Sequence, residues 1–277
     1  MTSAGEPICA RSNASPTDPN LTLELWSRAG DVVVVRQALA AIAEVLELSG
    51  PDVADIATVL TEACNNVVVH AYPPDEPGPL NVEFAFAPGL LVVTVSDLGC
   101  GIAAHHEEPR AGGGRLGIPM MVALARSVEF SDPGQRGTRV QFTFDVGRVE
   151  SDLLLDRPAW TRRPQLAEDH VAAGGAIVTA SPGRLAAVAL ARVARVLAGR
   201  ARFTAAGLED VDRVSRQIAR EVAAEGPHRA LTCGIVVAPR SIELCTFARL
   251  TSIEGDESAA LEVSNESGIT RAMLGAR

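Results

Sequence analysis

Apolar residues recur along this chain in two rhythms, and the switches between them mark its elements. Leu21 to Trp26 alternates apolar and polar positions, the period of a short strand. Asp31 then stands where a helix N-cap belongs, ahead of apolar positions Val34, Leu39, Ile42, Val45 and Leu46, which predict a helix to about Leu48. Ser49-Gly50-Pro51 ends that helix, and Asp52 opens a second one whose stripe is Val53, Ile56, Leu60, Ala63 and Val67. It stops before Pro73-Pro74, because proline cannot continue a helix. Asn81 to Ala87 puts Val82, Phe84 and Phe86 on one face of a strand. After Pro88-Gly89, Leu90 to Ser96 is apolar nearly throughout, as a central strand covered on both faces would be. Gly99 to Gly117 reads as a loop, Ile118 to Ser127 as a helix, and Gly137 to Val146 as a strand carrying Val140, Phe142, Phe144 and Val146 on one face.

The order strand, two helices, hairpin, loop, helix, strand predicts a two-layer α/β sandwich, a mixed sheet with helices on one face. Residues 1–20 are rich in Ser, Pro, Asn and Asp and read as a disordered tail, and residues 21–149 as the first domain. Residues 150–170, with Pro158, Pro164 and clustered Arg, read as a linker. Residues 171–277 then give a strand at Ala176 to Ala180 and a helix after Ser181-Pro182-Gly183. A second helix runs from Val211 to Ala224, and a hairpin turns at Pro239-Arg240. That order repeats the first domain. It predicts either a degenerate copy of the same fold or an unrelated α/β regulatory domain. Matching Val53 with Val211 places Arg220 at the position of Glu62 and Ala224 at that of Asn66.

Composition narrows the chemistry. All 25 basic residues are Arg, so no Walker-type lysine is available to hold a phosphate, and backbone amides, Mg²⁺ or Arg must do so. Residues 1–149 carry 9 Arg against 18 acids, an acidic balance that argues against nucleic acid as a partner. Five cysteines without a CxxC pair (Cys9, Cys64, Cys100, Cys233, Cys245) predict free thiols in a reducing cytoplasm rather than a disulfide framework or a zinc site. The N-terminus lacks the basic and apolar regions of a signal peptide. No apolar run is long enough to span a membrane.

Four segments carry candidate chemistry. On the second helix Glu62, Asn66 and His70 recur every four residues and so stack on one face. Two Asn within a run of Val and Ala are hard to explain by helix propensity. An Asn oxygen can ligate Mg²⁺, and a carboxylate one turn away can deprotonate or orient a hydroxyl. Asp97-Leu98-Gly99-Cys100-Gly101 places a carboxylate at a strand end beside a tight bend, where it can accept a hydrogen bond from an exocyclic amine; alone it is equally an ordinary turn. Gly112-Gly113-Gly114-Arg115-Leu116-Gly117 leads into a helix, a setting for anion binding by amides. Gly137-Thr138 begins the last strand, where the hydroxyl bonds a base or a neighbouring strand. His105-His106-Glu107-Glu108 lacks a third ligand at helical spacing and reads as a solvated lid.

Taken together and in order, these segments resemble the GHKL (histidine-kinase-like) ATPase superfamily over about 125 residues. Glu62–Asn66–His70 is similar to its N box, Asp97 to Gly101 and Gly112 to Gly117 to its two glycine boxes, and Gly137-Thr138 to its final strand motif. Glu62 to Tyr72 most resembles the small bacterial serine/threonine kinases that act as anti-sigma factors. The resemblance implies ATP and Mg²⁺ as cofactors and Glu62 as general base or positioning group. It implies Asn66 as metal ligand and Asp97 on the adenine amine with Thr138 behind it. His70, Gly99, Gly101, Gly113, Gly114, Arg115, Leu116 and Gly117 would stand around the nucleotide. It implies a STAS-type anti-sigma factor antagonist as phosphate acceptor, a sigma factor as alternative partner, and partner-switching control of transcription. A homodimer is compatible with it. The competing expectation is an ATP-gated binding or scaffold protein without catalysis. For the second half, dimerisation, partner binding and autoregulation stay open.

Overall fold

The computed structural model describes residues 18–100, 117–131, 137–147, 149, 174–226, 229–247, 261–266 and 269–276. Its strands are β1 (Leu21–Trp26), β2 (Pro79–Ala87), β3 (Leu90–Asp97), β4 (Ser127–Ser131), β5 (Arg139–Asp145), β6 (Ala176–Ala180), β7 (Leu231–Ala238), β8 (Ser241–Thr246), β9 (Leu261–Glu266) and β10 (Ile269–Gly275). The helices are α1 (Val32–Leu46), α2 (Gly50–Asn66), α3 (Gly117–Leu124), α4 (Arg184–Arg200) and α5 (Ala205–Ala224), and a π-helical turn, Val67–Ala71, continues α2. The strands form one sheet in the order β4-β5-β3-β2-β1-β6-β7-β8-β10-β9.

The expected α/β layering is present, but the sheet is not mixed. Among the described strands every pairing is antiparallel. The reason lies in the connections. A single crossover helix would return the chain parallel to the strand it left, whereas two helices, out and back, make β2 enter opposite to β1. β1 then pairs on its other edge with β6, from Leu21↔Ala180 to Glu24↔Ile177, so both halves of the chain share one sheet.

Alternation fixes which face is covered. In β2, Leu80, Val82, Phe84 and Phe86 are buried while Asn81 and Glu83 lie half-buried on the other face. On that polar face Arg139 of β5 pairs with Glu83 at 3.0 Å. Phe84, Phe86 and Phe142 are fully buried, each contributing about 1.5–3 kcal/mol relative to exposure. The helices pack in one row, α3–α2–α1–α4–α5.

Local signals differ from the expectation in three places. Asp31 sits at the N-cap position of α1, yet its side chain makes no cap; its carboxylate is held by Arg200 of α4 at 2.7 Å. Ser49, not Asp52, caps α2, accepting the Asp52 N–H at 3.3 Å. Pro51 lies inside the first turn, where its missing N–H breaks no helical bond. Strands β4, β9 and β10 have no counterpart in the sequence expectation; β4 is half-buried to exposed throughout and shows no clean alternation. Asn20 is buried and knits the sheet, its amide oxygen accepting from Phe86 N at 2.8 Å.

Candidate functional site

Helix α2 is anchored by Ile56, Val59, Leu60, Ala63 and Cys64, all buried. Burial pushes the Cys64 thiol up to about 12, so it serves packing rather than reactivity. With that stripe facing inward, Glu62 and Asn66 are left half-buried on the helix flank, one turn and about 6 Å of rise apart. His70 does not complete the expected stack. It lies in the π-helical turn Val67–Ala71 and is exposed. The turn coincides with Val67-Val68-Val69, three β-branched residues that crowd a regular helix. Its wider winding takes His70 out of line with Glu62 and Asn66.

The end of this turn is tied to the loop after β3. Ala71 O accepts the Cys100 N–H at 3.0 Å, and the Cys100 thiol donates to His70 O at 3.2 Å. Gly99 lies so close that a Cβ would overlap the Ala71 carbonyl, so only glycine fits there. Asp97 is 4% exposed, and its Oδ1 accepts the Gly99 N–H at 2.8 Å, which folds the loop back over the strand end. Asp97 N donates to Thr138 O at 3.0 Å, and Gly137 N to Gly99 O at 2.9 Å. Gly137 has φ +89°, and a Cβ there would strike the Asp97 carbonyl. The start of β5 and the end of β3 are therefore mutually fixed, with Thr138 beside Asp97 through the backbone.

Tyr72, which carries no role in the sequence expectation, holds the other side. Its hydroxyl accepts the Leu98 N–H at 2.8 Å and donates to Pro79 O at 2.7 Å. Burial raises this phenol to about 12, which keeps the proton that the second bond needs. The available signal was that Tyr72 is the only tyrosine in the chain and directly follows the Asn66–His70 segment.

Further back along the same helical run, near the C-terminus of α2, Gly117 begins α3 and abuts the Glu62 carboxylate; a Cβ on Gly117 would overlap Glu62 Oε1. A helix N-terminus is where negative charge sits best, whether that of Glu62 or of a bound anion. Cys100 and Gly117 flank residues 101–116. Both rest on the same helical run, one at Ala71 and the other at Glu62, about 13 Å apart along the axis. Asn66 lies between them. Gly101, Gly113, Gly114, Arg115 and Leu116, and the His105–Glu108 cluster, fall outside the described residues. Among the described residues no three His, Cys, Asp or Glu side chains gather as a metal site. Magnesium needs no such cage, since it commonly takes one or two protein oxygens and completes its shell with water and phosphate; a half-buried Asn amide fits that use. No helix among the described residues is long and apolar enough to cross a membrane.

This geometry agrees with what the chain is similar to. Residues 25–144 match the family described as "Histidine kinase-like ATPase domain". The serine-protein kinase RsbW of Bacillus licheniformis is 32% identical over 81 residues, 29% of this chain and 51% of that protein. An anti-sigma F factor of Clostridium botulinum (strain Eklund 17B / Type B) is 23% identical over 129 residues, 44% of this chain and 90% of the relative. That of Caldanaerobacter subterraneus subsp. tengcongensis is 27% identical over 139 residues, 46% of this chain and 94% of the relative. The chain thus spans about half the length of the first relative and nearly all of the other two.

Proposed function

We propose, from the premise that residues 25–144 belong to the histidine kinase-like ATPase domain family, that this half of the chain binds Mg-ATP and acts as an anti-sigma serine/threonine kinase. The acceptor is a serine or threonine hydroxyl on a small antagonist protein, and a sigma factor is the alternative partner.

The observation that carries this reading is the double anchoring of one helix. Glu62 meets the start of α3, Ala71 meets the loop after Asp97, and Asn66 stands between the two. Phosphoryl transfer demands positioning and charge neutralisation more than covalent chemistry, so this small set of groups suffices. Asn66 would hold Mg²⁺ through its side-chain oxygen, and the bound ion would supply charge neutralisation at the phosphates. Asp97, whose Oδ1 accepts the Gly99 N–H, would accept a hydrogen bond from the adenine amine. Glu62 accepts the proton of the attacking hydroxyl as its oxygen bonds the γ-phosphorus and the bond to the β–γ bridging oxygen breaks, releasing ADP.

The test is transfer of labelled γ-phosphate from ATP to candidate antagonist proteins by the full chain, with Glu62→Ala beside it. Transfer that depends on Glu62 supports the kinase. Regulation of a sigma factor that survives Glu62→Ala, with no transfer to any antagonist, makes the chain an ATP-gated binding protein instead.

A further inference from the structure

The two halves of the sheet repeat each other residue by residue. In β1, Leu21 pairs with Phe84 and Leu25 with Leu80; in β6, Ala176 pairs with Ile235 and Ala180 with Leu231. Counting 155 residues on from β1 therefore gives β6, and the same step reaches further features. Glu47 and Arg202, each just past a helix, have φ of 53° and 61°. Ser49 caps α2 and Thr204 caps α5, each accepting an N–H three residues on. The buried ladder Ile56, Val59, Leu60, Ala63, Cys64 and Val67 recurs as Val211, Val214, Ser215, Ile218, Ala219 and Val222. After the second helix the step shortens to 151 residues, and the hairpin Ala87-Pro88-Gly89-Leu90 recurs as Ala238-Pro239-Arg240-Ser241, with φ of +73° at Gly89 and +78° at Arg240. β3 pairs with β5 and β5 with β4, as β8 pairs with β10 and β10 with β9. This register corrects the match of Val53 with Val211: Glu62 corresponds to Gln217 and Asn66 to Glu221.

The two copies also face each other across a two-fold. Leu23 pairs with Val178, its own counterpart, and Leu21 with Ala180, the counterpart of Leu25. This is the isologous pattern of a symmetric dimer, here within one chain. We infer that residues 174–276 are a second copy of the fold that has lost nucleotide chemistry, and that it occupies the place of a partner subunit, so that one chain is a pseudo-dimer with a single nucleotide site. Gln217 cannot accept a proton as Glu62 can; a carboxylate at Glu221 is still able to ligate Mg²⁺, so the loss rests on Gln217 and on the shorter segment after the hairpin. Between β3 and β4 lie 29 residues, including α3; between β8 and β9 lie 14.

Charge at the seam explains why the partner is the chain's own second half. Arg200 of α4 holds the buried Asp31 at 2.7 Å, and Arg192 holds Glu44 of α1 at 2.7 Å. In a symmetric pairing of two α1 helices the counterparts of those arginines would be Val45 and Gln37. Asp31 would then be buried without its ion-pair partner and with only the weaker influence of the Arg28 charge, an unfavourable state. The number of nucleotide sites rests on the function proposed above; the duplication and its pairing do not.

The experiment weighs the full chain by sedimentation equilibrium and titrates it with Mg²⁺ and a non-hydrolysable ATP analogue. A monomer binding one analogue is expected, with binding lost in Asn66→Ala and affinity within about two-fold of wild type in Gln217→Ala and Glu221→Ala. Two analogues per chain, one of them lost in Glu221→Ala, or a symmetric dimer at tens of micromolar would overturn the inference. A monomer that binds no analogue would end the nucleotide reading while upholding the pseudo-dimer.

Discussion

Helices α2 and α5 differ in an instructive way. Their inward faces are alike: six buried positions in α2 and its π turn, Ile56 to Val67, align with six in α5, Val211 to Val222. Their flanks are not. α2 carries Glu62 and Asn66 and runs on into a π turn whose last carbonyl receives Cys100. α5 carries Gln217 and Glu221 and ends at Glu225, which pairs with Arg229 across the turn at Gly226. Packing against a sheet needs only the apolar ladder, so a helix keeps its register while its flank is rewritten. The chemistry resides in two side chains and in how the helix end is tied down.

The sharpest way to break the comparison is to give α2 the residue of α5. Glu62→Gln keeps size and hydrogen bonding but removes the proton acceptor. Phosphate transfer is expected to fall by about 10²–10⁴-fold, with nucleotide affinity nearly unchanged, in single-turnover assays beside a nucleotide titration. Transfer that survives would mean that Glu62 is not the base and that the two flanks differ for another reason.

The two ties along the C-terminal part of α2 and its π turn come next. Gly99→Ala sets a methyl against the Ala71 backbone, which cannot rotate away. A loss of roughly 2–3 kcal/mol is expected, seen as a Tm lower by about 5–10 °C. Gly117→Ala meets only the end of the Glu62 side chain, which can swing. It should cost under about 1 kcal/mol of stability yet lower transfer at least about ten-fold, because the carboxylate is displaced. Equal thermal losses in the two variants would show that both contacts are merely packed.

The sequence was legible where one signal decided an element. β1 and β6 are recognisable to the residue because alternation or an apolar run is bounded by polar or turn residues. The Glu62–Asn66 pair and the glycine at 99 stand out because their residue types make little sense as plain helix or strand. What was hidden depends on contacts far apart in the chain. Asp31 reads as a cap until Arg200, from the other half, claims it. β4 and β9 are the two ends of the sheet, each paired along one edge only, and their patterns are correspondingly weak. The antiparallel sense of the sheet follows from counting helices between strands rather than from any residue. Tyr72 acts through Leu98 and Pro79, partners that local sequence does not reveal.

Tyr72→Phe sharpens the comparison on a smaller scale, since no tyrosine stands in the second half. Without the hydroxyl, the Leu98 N–H and Pro79 carbonyl lose their shared partner, at about 1–2 kcal/mol. Because Leu98 follows Asp97, nucleotide affinity should weaken by roughly three- to ten-fold. Unchanged affinity with a lowered Tm would confine Tyr72 to a structural part.

The smallest expected effect lies on the seam between the halves and is read through pH. Asp31 is buried, with Oδ1 on Arg200 and Oδ2 lacking a partner among the described groups. Burial raises its carboxyl above 3.8; the hydrogen bond and charge of Arg200 oppose that rise without cancelling it. The folded state therefore holds this proton more tightly than the unfolded chain. The stability that Asp31 contributes is fully present below its unfolded pKa and is lost as pH rises through the folded one. Asp31→Asn removes this titration and is the reference. Measured by denaturant unfolding at pH 7 and near pH 4.5, wild type should gain on the variant as pH falls, by on the order of 1 kcal/mol or less. A gain in the opposite direction would mean that Arg200 outweighs burial. The seam would then be held by a strong ion pair, and the second half would be bound to the first by charge more than by the shared sheet.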